Sequence, residues 1–218
     1  MRAMILAAGR GERMRPLTDN RPKPLLEVGG RPLIDYHLRA LAAAGVSRVV
    51  VNVAWHGHLI RDYLGDGSDW GLEVVISDEE GTALETAGGI RRALPLLGNA
   101  PFWVVNGDVW IDLDPSVLPW EPEGEAHLVL VDNPRHNPEG DFGYRAGRVE
   151  PGAPRLTFAG VGVYRPALFA GLPDGVHRLA PLLHEAAARG AVTASHHKGT
   201  WWDVRHPAAA AGAGPLAA

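Results

Sequence analysis

A short apolar run, Ala3 to Ala7, feeds straight into a turn carrying Gly9 and Gly11, and a polar loop then extends to Pro24. The run reads as a strand. Glycines directly after it let backbone approach an anion closely and aim several N–H groups at it. From Arg10 to Pro24 the loop holds Arg10, Arg13, Arg15, Arg21 and Lys23 against Glu12 and Asp19, a balance of 5 − 2 = +3, whereas the whole chain stands at 21 − 25 = −4. A positive focus on an acidic protein points to a small anionic ligand; nucleic acid would need a broad basic face. Lys23 is fixed between Pro22 and Pro24. A P-loop requires GxxxxGK[ST], which is absent. The dinucleotide fingerprint GxGxxG starts on Gly9 and Gly11 but meets Met14 at its third position, so hydride transfer fits poorly.

Strand and helix patterns alternate behind this opening. Ile34, His37, Leu38 and Leu41 fall at helical spacing within Pro32 to Ala44, and Gly45 supplies a stop. Arg48 to Val53 reads as a strand, His58 to Leu64 as a helix, Leu72 to Ser77 as a strand, Ala83 to Leu94 as a helix and Phe102 to Asn106 as a strand. This βαβ rhythm predicts an α/β fold built on one doubly wound, mostly parallel, Rossmann-like sheet. Ligands in such sheets lie beyond the carboxyl ends of the strands, where Gly9, Asp78 and Asp108 all emerge. After Asp114 the pattern changes to strands at Glu125 to Val131, Asp141 to Arg145 and Arg155 to Tyr164, separated by Pro, Gly and Asn. A helix from Leu179 to Arg189, the strand Val192 to His196 and the segment Gly199 to Val204 close the pattern. The expectation is one domain over residues 1–207, divided near 114, with a low-complexity tail at 208–218. A chain without cysteine has no disulfides, whatever its compartment; the apolar opening Ala3 to Ala8 is too short for a signal-peptide core and no run is long enough to cross a membrane, so a cytoplasmic protein is expected.

Several polar residues stand where chemistry is possible. Asp108, in Asn106-Gly107-Asp108, ends a strongly apolar strand and suits a magnesium ligand, since that ion takes few protein carboxylates and keeps water and phosphate oxygens. Asp203, after Trp201-Trp202, is the natural second. An Asp after a strand is also commonly a cap or turn residue. In Leu84 to Ile90 the small residues Ala87, Gly88 and Gly89 would let a flat base lie on backbone, or would simply pack a helix. Asp141, Gly143 and Glu150 suit sugar hydroxyls, although a tight turn explains Gly143 equally. His56 with His58, and His196 with His197, lack metal-ligand spacing on a helix and read as surface or core histidines. The tryptophans read as packing, with Trp201 and Trp202 walling one side of the cleft.

The segment LAAGRGERMRPLTDNRPKPLLEVGGRPL resembles the signature of sugar-1-phosphate nucleotidyltransferases, LAAGxGxRxxPxTxxxPKPLxxVxGxPL, with every fixed position filled. The resemblance implies a glycosyltransferase-A-like nucleotidyltransferase fold and a nucleoside triphosphate and a sugar-1-phosphate as partners. It further implies that Ala8, Gly9, Gly11 and Glu12 wrap the triphosphate while Arg13 and Lys23 engage its phosphates. Asp78, Glu79, Thr86, Ala87 and Gly88 would line the base pocket, and Asp108 and Asp203 would share Mg2+. Lys23, Arg13 and Asp108 are the catalytic candidates. The half after residue 114 would be the sugar side, with Asp141, Gly143 and Glu150 as its binding residues. VDNPRHNPEGDFGY, TFAGVGVYRPALF and HRLAPLLHEAAARG resemble the branch that uridylylates N-acetylmuramate-1-phosphate in cell-wall sugar recycling. Glucose-1-phosphate or mannose-1-phosphate enzymes, and a nucleotide-sugar sensor without turnover, are the alternatives. Arg205-His206 stand where the family reads Gly-Thr. A monomer or small homo-oligomer, with neither nucleic acid nor membrane as partner, completes the expectation.

Overall fold

The computed structural model describes residues 1–81 and 83–204. Its strands are β1 (Arg2–Leu6), β2 (Glu27–Val28), β3 (Arg31–Pro32), β4 (Arg48–Val53), β5 (Glu73–Asp78), β6 (Phe102–Asn106), β7 (Val109–Ile111), β8 (Ala126–Val131), β9 (Phe142–Arg145), β10 (Arg148–Val149), β11 (Arg155–Tyr164), β12 (Val192–His196) and β13 (Trp201–Asp203). The α-helices are α1 (Leu33–Ala43), α2 (Gly57–Leu64), α3 (Glu85–Leu97), α4 (Ala167–Ala170) and α5 (Leu179–Ala188). One nine-stranded sheet runs in the order β5-β4-β1-β6-β11-β8-β12-β10-β9, while β13 pairs with β7 and β2 with β3 in two small ribbons.

The sheet is mixed, which corrects the mostly parallel expectation. β5, β4, β1 and β6 are parallel, as the βαβ rhythm requires. β11 then lies antiparallel to both β6 and β8. The cause is the connection from β8: it is the β9–β10 hairpin and not a crossover helix, and a chain returning by hairpin arrives reversed. β12, which follows the crossover helix α5, is again parallel to β8.

Both faces of the sheet are covered, and the strands show it by alternation. Ala3 and Ile5, Val49, Val51 and Val53, and Trp103 and Val105 join Ile34, Leu38, Leu41, Ile60 and Leu64 from α1 and α2 in one core. Their neighbours Met4, Val50, Phe102 and Val104 point the other way, into a second core with Ile90, Ala93 and Leu97 of α3 and Leu183 and Ala186 of α5. Each fully buried Leu, Ile or Phe stabilises by roughly 1.5–3 kcal/mol. α1 ends where Gly45 turns left-handed, at φ +82°. The helix expected at Ala83 begins two residues later and reaches Leu97. Pro95 lies inside it. Among the described residues no helix is long and apolar enough to cross a membrane. Arg205, His206 and the 208–218 tail lie outside the described residues.

Candidate active site

The carboxyl ends of β1, β4, β5 and β6 meet at a cleft with two adjoining compartments. One, of about 600 Å³, is walled by the loop after β1: Gly9, Arg10, Gly11, Glu12, Arg13, Met14, Lys23 and Pro24, with Gly107 and Asp108 opposite. The other, of about 300 Å³, is lined by Leu6, Ala8, Asn52, Glu79, Thr86 and Asn106. Leu6, Gly9, Ala83, Glu85 and Asp108 line both.

The cationic loop is held by its interior. Gly11 is left-handed at φ +64°, and a Cβ there would meet Thr18 Cγ2 at 2.9 Å. The Thr18 hydroxyl donates to the Gly11 carbonyl at 2.9 Å and is buried. Glu12–Met14 form a 3₁₀ turn whose Met14 is fully buried in a third apolar cluster with Leu26, Val28, Leu33 and Val204. Lys23 is thereby carried inward until Nζ lies 2.9 Å from Asp108 Oδ2, the lysine side chain 8% exposed and the aspartate 41%.

Asp108 is delivered by the turn after β6, which stays close to the end of its parallel neighbour β1. The Gly107 N–H donates to the Leu6 carbonyl at 2.9 Å, and any Cβ on Gly107 would stand 2.6 Å from that oxygen. Beneath it, the buried His37 of α1 places Nε2 2.9 Å from the Val109 carbonyl, so that nitrogen carries the proton. Burial drives the His37 pKa down to about 4, the carbonyl bond and the Asp108 charge opposing it only in part. His37 is therefore neutral at pH 7.

The backbone at Asp203 comes beside that of Asp108 from the other end of the chain, and the Asp203 side chain lines neither compartment. β13 pairs antiparallel with β7, setting Asp203 opposite Val109 and Trp202 opposite Trp110, and the Val204 N–H donates to the Asp108 carbonyl at 3.0 Å. The Asp203 side chain is only 2% exposed, with His136 Nε2 4.0 Å from its Oδ2. Asp112, missed in the sequence reading, fastens the approach to β13. Its two carboxylate oxygens accept from His197 Nε2 at 2.7 Å and the Thr200 N–H at 2.9 Å. Desolvation opposes its ionisation but is outweighed by these donors, and the pKa is lowered. Trp201 and Trp202 precede Asp203 on β13; the Trp201 indole N–H donates to the Ala159 carbonyl at 2.9 Å.

A buried polar chain floors the smaller compartment. The Ala7 N–H donates to Asn52 Oδ1 at 2.8 Å, Asn52 Nδ2 donates to Glu79 Oε1 at 2.6 Å, and the Leu84 N–H donates to Glu79 Oε2 at 2.8 Å. Three strand ends and the start of α3 are thus tied together. Burial raises the Glu79 pKa, against the pull of these donors. Asn52 carried no sequence motif, and only its place at the end of a buried strand could have marked it.

Other expected residues are placed elsewhere. Asp78 faces a neighbouring recess with Arg10, Trp55, His58 and Arg61. There its ion pair with Arg61, and then the Glu80 N–H, lower its pKa. The N–H groups of Ala87 and Gly88 donate to the His177 carbonyl at 2.9 and 3.1 Å, because α3 begins against the 175–177 loop. Thr86 does line the cleft.

Asp141, Gly143 and Glu150 line neither compartment. Asp141 Oδ1 accepts from Asn137 Nδ2 and its Oδ2 from the Phe158 N–H, at 3.0 and 2.8 Å, where β11 breaks register between Phe158 and Gly162. Gly143 is required because a Cβ would collide with the Glu150 carbonyl. Glu150 stands 3.7 Å from Arg145. His196 and His197 contact Asp132 and Asp112 separately, and no group of three or more metal-ligating side chains occurs among the described residues.

Residues 2–150 match the nucleotidyl transferase family. The N-acetylmuramate alpha-1-phosphate uridylyltransferase of Neisseria meningitidis serogroup B is 52% identical, covering 94% of this chain and 93% of its own. That of Caulobacter vibrioides is 40% identical over 95% and 93%. Among solved structures, a Bacillus anthracis chain provisionally assigned as a glucose-1-phosphate thymidylyltransferase superposes with a TM-score of 0.83 at 21% identity, covering 96% of this chain and 92% of that one, a likeness of fold alone.

Proposed function

Because the chain belongs to the nucleotidyl transferase family, we propose that it moves a uridylyl group from UTP onto the 1-phosphate of N-acetylmuramate, giving the nucleotide sugar and pyrophosphate. The observation that carries the reading is the Lys23–Asp108 contact at 2.9 Å, set where a polyphosphate-sized compartment joins a base-sized one.

A sugar-phosphate oxygen attacks the α-phosphorus in line, the new P–O bond forming as the bond to the β-phosphate oxygen breaks. The nucleophile is already an anion, so no general base is needed and the work is alignment and charge neutralisation. The Gly9 to Gly11 backbone and Arg13 hold the departing pyrophosphate. Lys23, kept dry and aimed by Asp108, neutralises charge at the reacting phosphates. Asp108 lies one residue before β7 and Asp203 lies opposite Val109 in β13; two aspartates so placed suit a hard divalent cation that retains water and phosphate oxygens, so Asp108 and Asp203 would hold Mg2+. When bound, that ion supplies charge neutralisation on the phosphate oxygens. The uracil enters between Leu6, Ala8, Asn52 and Thr86, and the sugar approaches from the β13 side, bordered by strands after Asp114. The reaction suits a cytoplasmic enzyme of peptidoglycan sugar recycling.

The test is pyrophosphate release with magnesium across a panel pairing UTP, dTTP, GTP, CTP and ATP with N-acetylmuramate-, N-acetylglucosamine-, glucose- and mannose-1-phosphate. Release confined to UTP with the muramate sugar is expected. Another active pair would move the substrate, and silence from folded protein would overturn the reading.

A further inference from the structure

Glu85 opens α3 with its backbone in the left-handed region, at φ +60°. A glycine sits there freely; a side chain costs about 1–2 kcal/mol. The residue is exposed and lines both compartments of the cleft. Among the described residues no cation stands against its carboxylate, in contrast to Asp108 beside Lys23, Asp78 beside Arg61 and Glu80 beside Arg92. No ion pair among the described residues therefore uses its charge, and the general preference of a helix N-terminus for an acid, about 0.3–1 kcal/mol, does not exceed the backbone cost.

Its position indicates what does. One compartment is cationic and suits phosphates; the other, floored by the Asn52 amide and walled by Leu6 and Ala8, suits a base. A nucleotide spanning them puts its ribose at the junction, where Glu85 stands. An ionised carboxylate repels phosphate but accepts hydrogen bonds from a vicinal diol, as acidic residues do in dinucleotide-binding folds. We propose that Glu85 accepts the ribose hydroxyls of the nucleotide and makes the enzyme select ribonucleotides over 2′-deoxyribonucleotides. The inference rests on the nucleotidyl-transfer reading for its ligand.

The test is the affinity of the whole protein for UTP and for dUTP by calorimetry, in the wild type, Glu85→Gly and Glu85→Gln, together with melting temperature and pyrophosphate release. Losing a hydrogen bond to a charged acceptor should weaken UTP binding about 10- to 100-fold. The wild type should prefer UTP over dUTP, Glu85→Gly should bind the two alike, and Glu85→Gln, which keeps one neutral acceptor oxygen, should discriminate less than the wild type. Glu85→Gly should melt no lower than the wild type, since glycine relieves the left-handed backbone. Discrimination unchanged in the variants, or none in the wild type, would overturn the proposal. Ribose discrimination lost with Glu85 in a protein that releases no pyrophosphate would sustain it while removing the transferase reading. Absence of binding to either nucleotide would remove both.

Discussion

His37 makes the stability of this protein depend on pH in a defined window. Its ring is buried on α1 and its folded pKa is about 4, against 6.5 when free. Between those values the unfolded chain binds a proton that the folded chain refuses, so stability rises with pH across the window and is lost as pH falls from 6.5 toward 4. The full difference is about 2.5 pKa units, or roughly 3 kcal/mol at 1.36 kcal/mol per unit, and about 2 kcal/mol of it is lost between pH 7 and pH 5. His37→Gln removes the titration and keeps an N–H within reach of the Val109 carbonyl. Urea unfolding of both proteins at pH 7 and pH 5 isolates the effect, because every other titrating group is common to both. The wild type should lose about 2 kcal/mol more than the variant on acidification. Equal losses would show that His37 protonates in the folded state without penalty, and the account of its burial would fail.

Asp108→Asn and Lys23→Ala should each lower turnover by at least ~10²-fold while the far-ultraviolet spectrum is unchanged; near-normal turnover in folded Asp108→Asn would sink the metal assignment. Asn52→Ala leaves the Ala7 N–H and a Glu79 oxygen without their partner, and should cost about 2–4 kcal/mol in urea unfolding. Gly89→Ala would set a Cβ 2.6 Å from Glu79 Oε1, and should cost about 1–3 kcal/mol with a raised KM for UTP. Asp112→Ala releases the 197–200 turn that leads into β13, so the magnesium concentration for half-maximal activity should rise while the KM for UTP holds, measured by pyrophosphate release across a magnesium titration.

What was legible in the sequence was local. Arg48 to Val53, Phe102 to Asn106, Arg155 to Tyr164 and Val192 to His196 are the observed strands to the residue, because buried strands with β-branched and aromatic side chains declare themselves by composition. The glycine loop with Lys23, and Asp108 at a strand end, were visible for the same reason. What escaped depends on pairing between distant segments. No local pattern says that Arg155 to Tyr164 runs antiparallel between β6 and β8. Nor could Asp141 be recognised as a brace. Its partner, the Phe158 N–H, is freed only where β11 breaks register, and the neighbouring Ala159 carbonyl takes the Trp201 indole. Asp141 is thus tied to a break in β11 one residue from the Trp201 contact. Asn52 and Asp112 carry no motif at all, and Glu85 lies in the Leu84 to Ile90 segment without being marked within it; their positions follow from which strand ends the fold gathers.

The ribbon joining β7 to β13 has a consequence for the order in which this enzyme can be made. Asp203 is synthesised 203 − 108 = 95 residues after Asp108, and the Val204 N–H that caps the Asp108 carbonyl comes later still. Met14 of the glycine loop packs against Val204 as well, so both the loop and the Asp108 turn gain their last contact from the final described residue, and the cleft is complete only once β13 has been made.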